Sequence, residues 1–175
     1  MSELSRLRAL DLEGLARGAG ELGGRVEPSD LARLWGDLDL SGSPPEAIAW
    51  RIRVQWRSLP AQPVQLWLEL SAQARLPLTC QRCLAPAVHE LVIERSFRFV
   101  ESEEIAQAQD DECEEDLLVH QERFDLLELI EDELLLSLPL VSLHPRCPRP
   151  LASPVREVAD SEHPFAVLAR LKKPH

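Results

Sequence analysis

The stretch from Phe124 to Cys147, FDLLELIEDELLLSLPLVSLHPRC, constrains the fold more than any other, because it joins the longest apolar run to the sharpest boundary signals. Asp125 stands just ahead of the run and can accept from the exposed amides of a first helical turn, while Glu128 can reach back to it. Leu126, Leu127, Leu129, Ile130 and Leu134 follow at helical spacing, with Glu131, Asp132 and Glu133 between them. Pro139 forbids further helix. The pattern predicts a helix from Asp125 to Leu138, with an apolar face that must lie on a surface. Leu140, Val141 and Leu143 carry the same demand onward in extended form.

A sheet supplies that surface. Ile48, Trp50, Ile52, Val54 and Trp56 alternate with Arg51, Arg53, Gln55 and Arg57, the two-residue period of a half-buried strand. After the turn-rich break Leu59 to Pro63, a second alternation runs from Val64 to Cys80. A third, after Ala85-Pro86, aligns Leu91, Ile93, Phe97 and Phe99. Short connections predict antiparallel pairing, as a meander or a partly closed barrel. Trp50 and Trp56 are expected in the core and Trp67, on the opposite parity, at the surface. Residues 1–43 read as an N-terminal helical arm of short pieces interrupted by glycines: one follows Asp11, and another opens at Pro28 and ends at Gly36. The expectation is a single α+β domain over residues 1–175. Its sheet-and-helix core spans 44–147, and a tail over 148–175 carries a C-terminal helical segment.

Charge narrows the function. Thirty acidic against nineteen basic residues leave a net charge of −11, which argues against a general polyanion binder. ESEEIAQAQDDECEED, residues 101–116, contains no base and reads as a mobile acidic loop. Arg51, Arg53 and Arg57 form the best basic stripe, an RNA-contact hypothesis set against an ordinary solvated sheet face. No signal-like segment or long apolar span is evident, so a cytoplasmic protein without membrane attachment is expected. Pro164, Phe165, Val167, Leu168 and Leu171, with Arg170, Lys172 and Lys173 at the end, describe an apolar, basic-ended helix. It either docks a partner or packs back on the domain.

In that compartment four cysteines do not suggest a disulfide framework. Cys80-Gln81-Arg82-Cys83 and His144-Pro145-Arg146-Cys147 are two knuckles that together offer four ligands to one structural zinc. Buried reduced thiols and a redox pair are the other readings, and only the fold can bring the knuckles together. Cys113 has no partner motif. Catalytic templates fail. The glycines form no phosphate loop, no serine sits in a nucleophile elbow, and the carboxylates fall in the acidic run or on the helix exterior. No small-molecule substrate is implied.

Taken in order, CQRCL at 80–84, the acidic run, DLLELIEDELLLSLPLVSLHPRC at 125–147 and HPFAVLARLKK at 163–173 resemble the YceD family, the large ribosomal RNA subunit accumulation proteins of bacteria. The similarity covers roughly residues 25–173. It implies a noncatalytic cytosolic factor for synthesis, processing or stability of large-subunit (23S) ribosomal RNA, partnered by the RNA precursor or a ribosomal protein. The family motif carries over Cys80, Cys83, Asp125, Glu131, Asp132, Glu133, Pro139, His144, Cys147, Pro164 and Phe165, without assigning their roles.

Overall fold

The computed structural model describes residues 3–58, 63–110, 113 and 115–148. Two short helices, α1 (Glu3–Leu7) and α2 (Leu12–Arg17), precede strand β1 (Glu21–Val26). A 3₁₀ turn (Pro28–Asp30) and α3 (Ala32–Asp37) lead to strands β2 (Ile48–Arg57), β3 (Gln65–Thr79) and β4 (Pro86–Val100). Then come α4 (Glu103–Gln109), β5 (Asp116–Val119) and α5 (Leu126–Ser137). The strands lie in sequence order in one open, mixed sheet. β1 to β4 are antiparallel and β5 runs parallel to β4. The architecture is α+β, and the sheet does not close into a barrel.

α5 is the helix expected from the apolar run. Asp125 caps it, accepting from the Glu128 amide at 3.0 Å, and Leu138 ends it ahead of Pro139. Leu126, Leu127, Leu129, Ile130 and Leu134 are buried against Ile52, Leu68, Leu70, Ile93 and Phe97 of the same core cluster. Each such side chain contributes roughly 1.5–3 kcal/mol of burial, so this helix anchors the sheet's covered face. The other face is open to solvent.

Four expectations are corrected. The N-terminal arm is not purely helical, because residues 21–26 form the edge strand β1. Gly23 and Gly24 sit there because the backbones approach closely: a Cβ on Gly23 would lie 3.2 Å from the Trp50 carbonyl, and one on Gly24 3.2 Å from the Trp50 ring. The acidic run is not simply a loop. Ser102 caps α4 by accepting from the Ile105 amide, Glu103 and Glu104 occupy the first turn where the helix dipole favours anions, and Ala106 is buried. Trp67 is buried rather than exposed, roofed by the Arg57 guanidinium 4.7 Å above its ring. Trp56 keeps the core parity yet is 43% exposed, because it stands at the end of β2 over an open hollow of about 560 Å³ that it shares with Val64, Phe99, Ile105 and His120.

Arg98 fastens the described parts of the acidic segment to the sheet. It is buried on β4 with its guanidinium paired to Glu115 and donating to Gln109 at 2.9 Å, which ties both ends of the α4–β5 connection to the sheet. Replacing Arg98 by Met removes the charge but keeps much of the stem. This is expected to loosen α4 and β5, leaving buried core amides as slow to exchange as before, a difference that amide hydrogen exchange reads directly.

Candidate metal centre

The tip of the β3–β4 hairpin is the six residues Cys80 to Ala85, and the first knuckle makes the turn. The Leu84 amide donates to the Cys80 carbonyl at 2.8 Å, and the Cys80 amide to the Ala85 carbonyl at 2.9 Å. Leu84 adopts φ 58°, the left-handed region, which costs a non-glycine residue roughly 1–2 kcal/mol. Such strain persists where surrounding contacts over-determine the turn.

The chain leaving α5 returns to this tip. The Gln81 amide donates to the Ser142 carbonyl at 2.9 Å, and the Ser142 hydroxyl meets His89 Nε2 at 2.8 Å. These two bonds deliver His144 and Cys147 beside Cys80 and Cys83, closing a gap of some sixty residues in sequence. The four donor atoms all lie within 4.8 Å of one another. Cys80 Sγ and Cys147 Sγ are 3.9 Å apart, and Cys83 Sγ and His144 Nδ1 are 3.4 Å apart. A disulfide needs about 2.05 Å. A tetrahedral ion with bonds of about 2.3 Å to sulfur and 2.0–2.1 Å to nitrogen spaces its donors by about 3.8 Å and 3.6 Å. These two spacings are close to the second geometry, and the four donors together could hold one metal ion.

Two further features fit a ligand set. His144 Nε2 faces the Pro86 carbonyl at 3.0 Å, and because a carbonyl only accepts, Nε2 carries the proton and Nδ1 presents its lone pair to the thiols. The His144 amide donates to Cys80 Sγ at 3.5 Å. Burial pushes the Cys80 thiol up, but amide donors from His144, Cys83 and Arg82 outweigh it and bring it down to about 5. Burial and the two neighbouring sulfurs push Cys147 up. In metal-free protein, Cys80 is therefore expected to titrate as the acidic thiol of the set. Thiolate absorbance followed against pH should show a step near pH 5 that disappears in Cys80→Ser.

The remaining sequence candidates separate. Arg51, Arg53 and Arg57 do share the open sheet face, but Arg53 is held by Glu21 at 2.6 Å and Arg57 by Glu69. Only Arg51 has no ion pair among the described residues, so the stripe is largely neutralised. Pro164, Phe165, Leu168, Arg170, Lys172 and Lys173 lie outside the described residues. The acidic triplet of α5 is not an exterior face, since Glu131 and Glu133 are buried. Glu131 accepts from the Arg33 and Leu34 amides at 2.7 and 3.1 Å, Asp132 pairs with Arg33 at 2.6 Å, and Glu133 pairs with Arg95 at 3.1 Å. His89 and Ser142, which position the second knuckle, carry no motif that sequence reading could have caught.

A family model described as large ribosomal RNA subunit accumulation protein YceD matches residues 68–172. The match begins inside β3 rather than at residue 25 and takes in both knuckles and α5. No solved structure matches the chain. Among the described residues no helix is long and apolar enough to cross a membrane.

Proposed function

The chain belongs to the YceD family of large ribosomal RNA subunit accumulation proteins, and on that premise we propose that it is a noncatalytic cytoplasmic factor supporting synthesis, processing or stability of large-subunit (23S) ribosomal RNA. The observation that carries this reading is the family match itself, which spans the part of the fold built around the metal cluster and α5. The chemistry of the cluster agrees with it. Four protein donors fill a tetrahedral zinc ion, so the ion would be structural, with no open position to activate water or polarise a substrate. Zinc there would staple the hairpin tip to the segment 142–147.

The charge favours action through protein. A chain of net charge −11 whose best arginine stripe is already paired gains little from phosphates, whereas it suits a basic ribosomal protein. The terminal segment Pro164 to Lys173 is a second proposed contact. Deleting Pro164–His175 is expected to leave Tm nearly unchanged while abolishing co-sedimentation with large-subunit precursors.

The test of the whole reading is depletion. Loss of the protein should lower mature large-subunit RNA relative to small-subunit RNA, and an unchanged ratio across growth conditions would overturn it. Incubating the pure protein with precursor RNA separates the rival, an RNA-processing enzyme: new RNA ends made by the protein alone would end the noncatalytic assignment.

A further inference from the structure

We propose that the outer edge of β4, between Val88 and Glu94, binds an extended basic protein segment as an added strand. This deepens the reading above, on which it rests, by naming where and how a basic partner is held. β4 is paired along its whole length with β3, in unbroken register from Trp67↔Arg98 to Thr79↔Pro86. On its other side β5 covers only Phe97 to Val100.

The direction of the free groups follows from both ends of the strand. The Val100 carbonyl accepts from the His120 amide on the β5 side, and the Pro86 carbonyl accepts from His144 Nε2. Backbone groups alternate sides along a strand, so Val88, Glu90, Val92 and Glu94 also turn their N–H and C=O outward. Among the described residues none of these groups has a backbone partner on that side.

Exposed edges are normally blunted by lysine, proline, a bulge or a covering element. From Ala87 to Ser96 this edge has no lysine or proline, and its unbroken register leaves no bulge. Val88 and Val92 are 58% and 68% exposed and alternate with the exposed Glu90 and Glu94. β5 shows that the same edge accepts a strand.

Charge selects the occupant. Glu90, Glu94, Asp116 and Glu133 flank the edge against Arg75 and Arg95, and Glu94 has no ion pair among the described residues. Because Val88, Glu90, Val92 and Glu94 project from one face, a segment alternating lysine or arginine with apolar residues would set its cations in a row on that face beside Glu90 and Glu94 and its apolar side chains on the covered face beside Leu91 and Ile93, while its backbone completed the ladder.

Amide hydrogen exchange on the full-length chain tests this, with a short synthetic peptide alternating lysine with valine as probe and its glutamate–valine counterpart as control. The basic peptide should slow the amides of Val88, Glu90, Val92 and Glu94 by roughly tenfold or more, and the acidic peptide should leave them unchanged. Val92→Pro deletes an outward N–H without touching the β3 ladder, so it should abolish the protection at nearly unchanged Tm. Glu90→Lys with Glu94→Lys should transfer the preference to the acidic peptide. The inference is overturned if the basic peptide protects none of the four amides. It is equally overturned if they are already slow in the dilute free chain, which means its own residues fill the edge, or if they slow with protein concentration alone, which means a second copy does. Should depletion lower large-subunit RNA while Val92→Pro restores it fully, the edge inference falls and the ribosomal RNA reading stands.

Discussion

Protein purified without chelator is expected to carry about one equivalent of zinc, and removing it should lower Tm by roughly 8–16 °C. The magnitude comes from linkage. An ion present at about a thousandfold its dissociation constant stabilises the native state by about 4 kcal/mol, and in a chain of this size each kcal/mol moves Tm by about 2–4 °C. The loss should be local at first. Without the ion, the segment 142–147 is held to the hairpin tip chiefly by the Gln81–Ser142 and His89–Ser142 bonds, while the core under α5 keeps its own packing. Cys83→Ser removes one of four ligands and should abolish stoichiometric binding, whereas Cys113→Ser, outside the cluster, should retain the full equivalent. The pH dependence has a definite sign. Ligation requires deprotonated thiols, and with Cys80 brought down to about 5 no proton need be displaced from it at neutral pH, whereas Cys147, pushed up, must release one. Affinity should therefore fall as pH falls, and more steeply below about pH 5, where Cys80 begins to compete as well. A metal-free protein with undiminished Tm would remove the structural-zinc assignment.

The parts of this fold that could be read from sequence are those whose signal is local. Asp125, the leucines of α5 and Pro139 mark a helix by spacing and capping alone, and β2, β3 and most of β4 announce themselves by alternation. The failures all have a distant cause. β1 carries no alternation, because its glycines are chosen by how closely Trp50 approaches. α4 was hidden by a charge count that took the acidic run as self-repelling, although Arg98 on β4 neutralises one end of it from within the fold. That helix in turn supplies the crossover of a dozen or more residues that the parallel pairing of β5 with β4 needs. The Cys80, Cys83, His144 and Cys147 cluster was half legible. Each knuckle was visible as a spacing, but their meeting depends on Ser142 bonding Gln81 and His89, which no motif encodes. The C-terminal docking segment stays a proposal from sequence.

Glu131→Ala is expected to cost about 3 kcal/mol, a fall in Tm of roughly 6–12 °C, although its neighbours in the acidic triplet make it look like a solvated helix residue. Helix α3 starts at Ala32 with Leu31 in the cap position, and Leu31 has no side chain able to accept from the first amides. Glu131 does that work from α5. Its Oε1 accepts from both the Arg33 and Leu34 amides, and its Oε2 holds the Arg33 guanidinium at 3.0 Å. A missing cap costs about 0.5–2 kcal/mol. Here truncation also strands two amides beside the buried Leu34 and removes a charge-assisted partner, each a further loss of order 1 kcal/mol or more. Glu131→Gln separates the contributions. It keeps one oxygen to accept from the amides but turns an NH₂ toward Arg33, so it should lose less than the alanine variant, about half. Arg33→Ala removes the ion pairs to Glu131 and Asp132 but leaves both backbone amides bonded. Because Arg33 is half exposed, the loss of those solvent-screened pairs should cost less than either Glu131 substitution. The expected order of melting temperatures is therefore wild type, Arg33→Ala, Glu131→Gln, Glu131→Ala. If Arg33→Ala proved as damaging as Glu131→Ala, the ion pairs rather than the cap would be what fastens α3 to α5.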